Sequence, residues 1–352
     1  MLPVSAEPAR ILIFAPNWVG DAVMFTPALR AVRARFPAAT LTLIARPAPA
    51  AALRPNPWRI ETIVDEGRFW PLVRALRQPR ADLALLGPNS FRSALTAFLA
   101  RARQRVGYDR DGRRLLLTQR LQPPRDRDGH FAVTPALDYY LRLASAIGCD
   151  ALDPRMELEV DPQAQARADE LLRQANAATG RPIVFLNPGA SFGGSKLYPA
   201  GRFAAVADML IDQRGAQIII NASPAERPIA EAVEKGMNRP SLLNLGRQEN
   251  SLQLVKALVK RSSLMITNDT GPRHFAAAFG VPVVTIFGST DPGWTTLNYE
   301  RERIVQVAKP CGPCRQKECR LPPGSPEFHQ CMLKIAPEQV VAAAEELLGG
   351  QP

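Results

Sequence analysis

The chain has 352 residues, more than a single hydrophobic core usually supports, so its length predicts two domains. Hydrophobic residues make up 46% of it and charged residues 22%, a composition that excludes a disordered or fibrous protein. The formal net charge of +11 predicts attraction to anions, but it does not choose among nucleic acid, anionic lipid headgroups and phosphorylated saccharides.

The first predicted element is a strand at 10–15. Its apolar part, from Ile11 to Ala15, is shorter than the centre of a signal peptide and is followed by polar and glycine residues instead of a cleavage site. No stretch of the chain reaches the roughly 18 apolar residues that a membrane-spanning helix needs. We therefore expect a cytoplasmic protein.

Short apolar runs alternate with longer helical patterns in the first half of the chain, as is typical of α/β units around a parallel sheet. Ser90 is a predicted N-cap for one of these helices. The remaining predicted strands are 40–45, 61–64, 83–86 and 104–106, and the predicted helices are 21–35, 69–77, 90–100 and 133–147.

The predicted linker is 150–178, where Pro154 and Pro162 precede a polar helical segment without a clear strand, and the alternation restarts after it. The domains are predicted at 1–165 and 166–335, followed by a C-terminal helix within 336–352. That helix either closes the second domain or crosses back to the first. The predicted strands of the second half are 183–187, 217–221, 242–245, 264–267 and 283–287, and its helices are 200–215, 225–236, 251–261, 271–279 and 337–348.

Ligands of open parallel sheets bind beyond the carboxyl ends of the strands, so the residues after each strand are the candidates for chemistry. Asp21 follows the first strand and a glycine turn. A carboxylate in that position can accept a proton from a hydroxyl group. It can equally serve only to cap the helix that begins there.

The segment 187–196 follows another strand and is rich in glycine and serine. Small residues let backbone amides approach a phosphate, and Lys196 supplies a compact positive charge beside them. The segment lacks the P-loop pattern. A flexible surface loop is the alternative interpretation.

A third candidate is 268–274, where Thr270 and Gly271 precede a helix with Pro272 at its first position. A hydroxyl and unpaired amides at a helix N-terminus can bind a pyrophosphate. His274 either faces the same phosphate or packs under the loop. The segment 287–292 follows the next strand and is either another ligand-binding loop or a plain turn.

Two further polar residues follow strands of the second half. Glu226 can hold ribose hydroxyls, and Asn250 can line an adenine pocket. Each is a weak signal by itself.

Four of the five cysteines form the pattern Cys311-x2-Cys314-x4-Cys319-x11-Cys331. Four thiolates satisfy a structural tetrahedral zinc site, so this set is a candidate for zinc or another metal. The alternatives are reduced thiols packed in a surface loop, or thiols paired by oxidation. Cys149 is predicted to be a small buried hydrophobic residue.

Three motifs occur in order along nearly the whole chain: NWVGDAV, then NPGAS followed by SKLYP, then NDTGPRHFAAAFGVPVVTIFGSTDP. Together they resemble the bacterial heptosyltransferases of glycosyltransferase family nine. The segments 88–93 and 107–108 are most similar to the members that add the second heptose of the lipopolysaccharide inner core.

The resemblance implies an α/β protein of the GT-B type, with two Rossmann-like doubly wound domains facing across a cleft. It implies inverting, metal-independent transfer from ADP-L-glycero-β-D-manno-heptose to a heptosyl-Kdo2-lipid A type acceptor at the cytoplasmic face of the inner membrane. Asp21 matches the general base, and Lys196 is expected to take part in catalysis. The expected donor-binding residues are Asn187, Ser191, Lys196, Glu226, Asn250, Asp269, Thr270, Gly271 and His274.

No cofactor is expected for catalysis, since an inverting displacement needs only a base for the acceptor and positive charge on the leaving diphosphate. The positive charge that would bind an anionic acceptor is expected in the stretch from Arg101 to Arg127, which contains nine arginines and three aspartates. A solvated face is the alternative for any one of these arginines. The expected acceptor-binding residues are Asn89, Ser90, Arg92, Arg110 and Arg113.

Three alternative functions are retained. A family member with another acceptor or sugar would share the donor loops, and a nucleotide-sugar 2-epimerase would share the fold but turn over the donor alone. A nucleic-acid-binding protein is the alternative outside enzymology. The arginines are not interleaved with a stacking set of aromatic residues and no binding motif occurs, so we expect no nucleic-acid partner.

Overall fold

A computed structural model describes residues 7–150 and 152–349 of the chain. It divides into two compact units, one reaching to Glu159 and including Gly293–Thr296, the other comprising Val160–Pro292 and the residues from Leu297 onward. Each unit contains one six-stranded sheet. Residues 1–6, 151 and 350–352, which fall within the predicted domain ranges, lie outside the described part.

All strands of the first unit are parallel, in the order β3-β2-β1-β4-β5-β6. The central strand β1 carries the buried run that follows Arg10. The strands are β1 Arg10–Phe14, β2 Thr40–Ala45, β3 Glu61–Val64, β4 Leu83–Leu86, β5 Gln104–Tyr108 and β6 Gln119–Leu121. The helices are α1 Val19–Met24, α2 Thr26–Arg35, α3 Pro47–Ala52, α4 Phe69–Arg77, α5 Phe91–Leu99 and α6 Ala136–Ser145.

The predicted helix 21–35 is two helices, α1 and α2, separated at Phe25. Pro27 causes the break, because it has no amide hydrogen to donate to the carbonyl four residues earlier. The Thr26 hydroxyl donates to that carbonyl, Val23 O, at 2.8 Å instead. By contrast, Ser90 caps α5 as predicted, since its Oγ accepts from the Ser93 amide at 3.3 Å.

The second unit repeats the doubly wound design, with parallel strands in the order β12-β11-β10-β7-β8-β9. The strands are β7 Ile183–Asn187, β8 Gln217–Ile220, β9 Leu243–Asn244, β10 Leu264–Asn268, β11 Val283–Phe287 and β12 Glu302–Gln306. The helices are α7 Pro162–Gln174, α8 Ala200–Arg214, α9 Arg227–Gly236, α10 Leu252–Lys260, α11 Pro272–Ala278, α12 Gln330–Leu333 and α13 Pro337–Gly349.

The C-terminal helix α13 packs on the core of the second unit. Val340, Val341, Ala344 and Leu347 are buried with side chains of the second sheet. They recur at the three- and four-residue spacing that puts apolar side chains on one helix face. Among residues 7–150 and 152–349, no helix combines the length and the apolarity that crossing a membrane requires.

Candidate functional site

An ion pair joins the loop after β7 to the loop after β10. Lys196 Nζ donates to the Asp269 carboxylate at 2.5 Å and to the Asp269 carbonyl at 3.1 Å. Asp269 also accepts from Thr290 Oγ1 at 2.8 Å. Burial alone would raise the pKa of Asp269, but Lys196 and Arg273 outweigh it and hold the pKa below its ordinary value. Because Thr290 follows β11, all three loops, those after β7, β10 and β11, contact one another at the Asp269 carboxylate.

A second ion pair lies behind the first. Arg273 is fully buried, and its guanidinium binds the Glu302 carboxylate at 2.7 and 3.0 Å. It also approaches Asp269 Oδ1 at 3.6 Å. The Thr285 hydroxyl donates to Glu302 at 2.6 Å. Sequence reasoning missed this pair, because Glu302 opens the unpredicted strand β12 and its partner is 29 residues away in the chain.

His274 is buried beside these charges. Burial, together with the neighbouring Arg273, lowers its pKa to about 3. Its Nδ1 is buried and has no hydrogen-bond partner within the described ranges. An imidazole with this pKa is neutral at neutral pH. Of the two interpretations left open for His274, its electrostatics favour packing under the loop over a charged phosphate contact.

The glycine-rich loop 187–196 is bonded on both sides. Asn268 Nδ2 donates to the carbonyls of Pro188 and Gly189 at 2.7 and 3.3 Å. On the other side, the Ser195 amide donates to Lys317 O at 2.9 Å. Gly193 has φ 154°, and a Cβ there would collide with the Lys317 backbone. These contacts fix the path of the chain into Lys196 and oppose the alternative of a flexible surface loop.

A chain of buried amides crosses the carboxyl ends of the central strands. Asn187 Nδ2 donates to Thr267 Oγ1 at 2.9 Å, and Asn221 Nδ2 donates to Asn187 Oδ1 at 2.7 Å. Asn250 Nδ2 then donates to Asn221 Oδ1 at 3.0 Å and to Ala222 O at 2.8 Å. The Asn250 Oδ1 atom is buried and unpartnered among the described residues. This row of hydrogen-bonded side chains thus ends in a carbonyl oxygen that can accept a hydrogen bond from a ligand.

Glu226 stands at the start of α9. Its Oε2 accepts from the Ser223 amide at 3.1 Å and from the Ser223 hydroxyl at 2.6 Å. The carboxylate also lies against Gly189, where a Cβ would collide with it. Ser191 is exposed, and Thr270 and Gly271 are partly exposed immediately before α11.

In the first unit, Asp21 lies in the first turn of α1 and is partly exposed. The Tyr140 hydroxyl donates to Asp21 Oδ1 at 3.0 Å, and the Tyr140 ring packs edge-on against Phe25. Burial, and then the charge of Asp21, raises the pKa of Tyr140 well above its usual value. Tyr140 therefore stays protonated as a donor to Asp21. Sequence reasoning missed Tyr140, which lies 119 residues further along the chain.

A cavity of about 770 Å³ opens at the carboxyl ends of the first sheet, and Ser90 and Arg92 line it. Asp65 is buried in its wall, where it accepts from Arg92 Nη2 at 3.0 Å and faces Arg46 at 3.7 Å. Burial alone would raise the pKa of Asp65, but the bonds from Arg92 and the Gly67 amide lower it. Trp18, also in the wall, is 61% exposed. The cavity thus combines arginine with an exposed indole.

The other predicted acceptor residues take different positions. Asn89 Oδ1 accepts from the Tyr139 hydroxyl at 3.0 Å and from Arg113 Nη2 at 3.3 Å. Arg113 is fully buried, and burial lowers its pKa to about 10. A fully buried guanidinium offers no surface to a ligand, so Arg113 supports Asn89 from within. The guanidinium of Arg110 stacks on Phe131, 3.9 Å from the ring centroid.

The four clustered cysteines are free, half-buried thiols. Burial, and then the neighbouring Cys314, Cys311 and Cys319, raises the pKa of the Cys331 thiol. In the described part of the chain, three ligand atoms lie within 4.8 Å of one another only at Asp126, Asp128 and His130, all exposed. The sulfurs would have to move together to bind a metal. Zinc at these cysteines stays a prediction.

Comparison with known proteins shows the family of the chain. The family model described as glycosyltransferase family 9 (heptosyltransferase) matches residues 69–324, which is most of the chain. The chain belongs to glycosyltransferase family 9. It is therefore a transferase, and the predicted resemblance to this family is confirmed.

Individual relatives match over nearly full length. Lipooligosaccharide heptosyltransferase 2 of Haemophilus influenzae is 28% identical, and the alignment covers 96% of this chain and 99% of that protein. The structure of the E. coli ADP-heptose LPS heptosyltransferase II is 26% identical with a TM-score of 0.77, covering 96% and 98%. A family 9 glycosyltransferase from Veillonella parvula has a TM-score of 0.82 at 22% identity, covering 97% and 98%. The predicted α/β fold of the GT-B type is confirmed.

The neutral His274 predicts an acid-dependent loss of stability. Its folded pKa of about 3 lies below the unfolded value of about 6.5, so only the unfolded chain takes up the proton between these values. The free energy of unfolding should therefore fall with decreasing pH by about 1.4 kcal/mol per unit through this residue. His274→Asn should show a correspondingly shallower slope in urea unfolding of the ligand-free protein. The exposed His130→Asn is the control, and equal slopes for all three proteins would contradict the assignment.

Proposed function

We propose that this protein transfers L-glycero-D-manno-heptose from ADP-heptose to the first heptose of the lipopolysaccharide inner core, with inversion. The full-length similarity to proteins named heptosyltransferase 2 supports this acceptor over those of other family members. It also supports a transferase over a 2-epimerase or a nucleic-acid-binding protein. The observation that carries the proposal is the buried Lys196–Asp269 pair at the ends of β7 and β10.

On the donor side, the chemistry is the departure of a diphosphate. Lys196 supplies positive charge to the leaving ADP, helped by the amides at Thr270 and Gly271. Asp269 orients the ammonium group, and Arg273 in turn holds Asp269. Preorganised charge of this kind stabilises a developing anion without rearrangement during the reaction. The residues need no metal ion for this role.

On the acceptor side, Asp21 acts as the general base. Its carboxylate removes the proton from the acceptor hydroxyl, and the oxygen attacks the anomeric carbon. The bond from that carbon to ADP breaks, and ADP leaves with the electron pair. Tyr140 orients Asp21 through its hydrogen bond. One displacement inverts the configuration and requires no covalent intermediate.

The nucleoside contacts follow from two polar groups. Glu226 presents a carboxylate beside Gly189 that can accept from ribose hydroxyls. The unpartnered Oδ1 of Asn250 can accept from the exocyclic amine of adenine. Asn187 and Ser191 complete the donor site, the first by holding the amide chain and the second from the exposed side of the loop.

The acceptor is a lipid-linked saccharide, so we infer that the enzyme works as a peripheral protein at the cytoplasmic face of the inner membrane. Ser90 and Arg92 contact the acceptor in the first-unit cavity. Asn89 and Arg110 both neighbour Tyr139 and are assigned to the same acceptor. Arg113 contributes by fixing Asn89.

The direct test combines the purified protein with ADP-heptose and a mono-heptosylated Kdo-lipid A acceptor. A mass gain of one heptose on the acceptor, with release of ADP, is the expected result. Turnover of the donor without any acceptor, or heptose transfer only to an acceptor that lacks the first heptose, would contradict the proposal.

Asp21→Asn should abolish transfer while leaving donor binding intact. The amide keeps an oxygen for Tyr140 but cannot take a proton, so kcat should fall by about a thousandfold. ADP affinity, measured by calorimetry, should not change. Tyr140→Phe should lower kcat less, because the base is retained and only its orientation is lost. Weakened ADP binding in Asp21→Asn would make Asp21 a structural residue.

Lys196→Met should weaken ADP-heptose binding and slow turnover together. Loss of one preorganised donor to a developing anion typically lowers kcat about a hundredfold. Steady-state kinetics and ADP calorimetry measure the two effects. Lys235→Met, on the exposed face of α9, removes an equal charge away from the loops and should change neither. Normal kinetics in Lys196→Met would exclude Lys196 from the site.

Gly189→Ala should impair nucleotide binding through Glu226. The added Cβ collides with a carboxylate at the end of a flexible side chain, which can swing aside at little cost in stability. Loss of a hydrogen bond to a charged acceptor should weaken ADP binding about tenfold. Gly201→Ala is the matched control, because a Cβ there meets no atom within 4 Å. Unchanged ADP affinity in Gly189→Ala would argue against a ribose contact at Glu226.

A further inference from the structure

The first unit carries a second concave surface, separate from the residues assigned to chemistry. It is a groove of about 460 Å³ between α4 and the C-terminal end of α5, and Trp70 and Phe98 form its apolar walls. We name it the Trp70–Phe98 groove. Five arginines also line it: Arg77, Arg80, Arg101, Arg103 and Arg105.

The aromatic residues of the groove face away from the core. Helix α4 buries Leu72, Val73 and Leu76, and this leaves Trp70 60% exposed. Helix α5 buries its alanines, and Phe98 on another face is 46% exposed. Neither ring is needed to fill the interior. Exposed rings grouped in this way indicate an interaction surface.

An aliphatic residue projects beside the groove. Leu115 is 92% exposed and lies in the short turn Arg114–Leu116, which packs next to α5. Arg105 ties the turn to the groove, because its Nε donates to Leu116 O at 2.6 Å and its guanidinium lies 5.3 Å from the Phe98 ring centroid. The turn therefore presents Leu115 to solvent from a fixed base.

The charge of the groove is largely uncompensated. Arg80 and Arg105 donate to backbone carbonyl groups, which carry no net charge. Among the residues that the structure describes, the ion pairs of the five arginines comprise only Arg103 with Asp82, at 3.5 Å. The surface is therefore strongly positive around its apolar residues.

We propose that the Trp70–Phe98 groove, together with Leu115, docks on an anionic phospholipid bilayer. Tryptophan, phenylalanine and leucine form the apolar face of proteins that lie at the boundary between lipid headgroups and acyl chains, and arginines are attracted to anionic headgroups. Leu115 distinguishes this partner from a nucleic acid, whose bases stack on rings and gain little from an exposed aliphatic side chain.

Helix α5 connects this surface to the acceptor cavity. Its first residues lie at the cavity through Arg92, and its last lie at the groove through Phe98. The nine residues of the helix separate the two places by about 13 Å. The link between docking and catalysis rests on the proposed function. If the membrane lies at the groove, the saccharide of a lipid-linked acceptor has only this short distance to reach the cavity.

The experiment is flotation of the full-length protein with vesicles of phosphatidylcholine, alone or mixed with phosphatidylglycerol. The unmodified protein should float only with the anionic vesicles, and less at high salt. Arg77→Gln/Arg101→Gln/Arg103→Gln should lower the partition coefficient about a hundredfold, since each arginine contributes about a fivefold factor. Trp70→Ser/Phe98→Ser/Leu115→Ser should lower it about tenfold or more.

Matched control variants lie in the second unit. Lys235→Gln/Arg239→Gln/Lys260→Gln removes the same charge from exposed positions of the second unit, and Ile304→Ser removes an exposed apolar side chain. Both controls should bind anionic vesicles like the unmodified protein. The proposal would be overturned if the groove variants bound anionic vesicles as well as the unmodified protein does, or if the control variants lost as much vesicle binding as the groove variants. It would also be overturned if the unmodified protein bound RNA but no vesicles.

Activity separates this proposal from the proposed function. The groove variants should transfer heptose normally to a deacylated, soluble acceptor and poorly to the same acceptor carried in anionic vesicles. Equal activity on both forms would overturn the docking surface. No transfer by the unmodified protein to either acceptor would reject the proposed function, while the flotation result would still test the groove.

Discussion

The buried pairing of Lys196 with Asp269 is the interaction on which the candidate site of the second unit depends. Burying an ammonium group is unfavourable unless a charge of opposite sign and well-placed hydrogen bonds accompany it. Asp269 provides that partner and is itself stabilised by Arg273, which pairs with Glu302. The charges of Lys196 and Arg273 thus balance those of Asp269 and Glu302. Lys196 lies in the glycine-rich loop, which is the segment proposed to bind a diphosphate.

The same balance explains why His274 is neutral. A charged imidazole would be a third cation in a buried set that holds two carboxylates, and Arg273 would repel it. In the proposed reaction, the charge offered to the leaving diphosphate would therefore come from Lys196 and from backbone amides, and it would not vary with the protonation of His274 near neutral pH. Asp269 also has Thr290 and Arg273 as partners, so in the proposed reaction it would stay paired when the ammonium group of Lys196 turns to a phosphate.

The sequence predicted the framework well, because buried parallel strands are continuous apolar runs and their ends mark the ligand edge. For this reason it placed Asp21 and Lys196 in the segments that follow strand ends. It missed the short edge strand β6, the strand β12 that opens with a charged residue, and the proline-rich helix α3. It also missed Tyr140 and Glu302, since contacts over 119 and 29 residues arise only from the tertiary packing.

The arginine-rich stretch shows where sequence reasoning ends and burial decides. Its members look alike in the sequence, yet Arg113 is sealed inside the first unit, Arg110 stacks on Phe131, and Arg103 reaches solvent beside the groove. Net charge therefore predicts that the protein attracts anions, but not where. Arg92, which lines the cavity, is paired with the buried carboxylate of Asp65, whereas Arg80 in the groove donates to a backbone carbonyl and Arg103 is the groove arginine with an ion pair among the described residues. A paired arginine is oriented for one ligand, and unpaired ones suit a diffuse anionic surface.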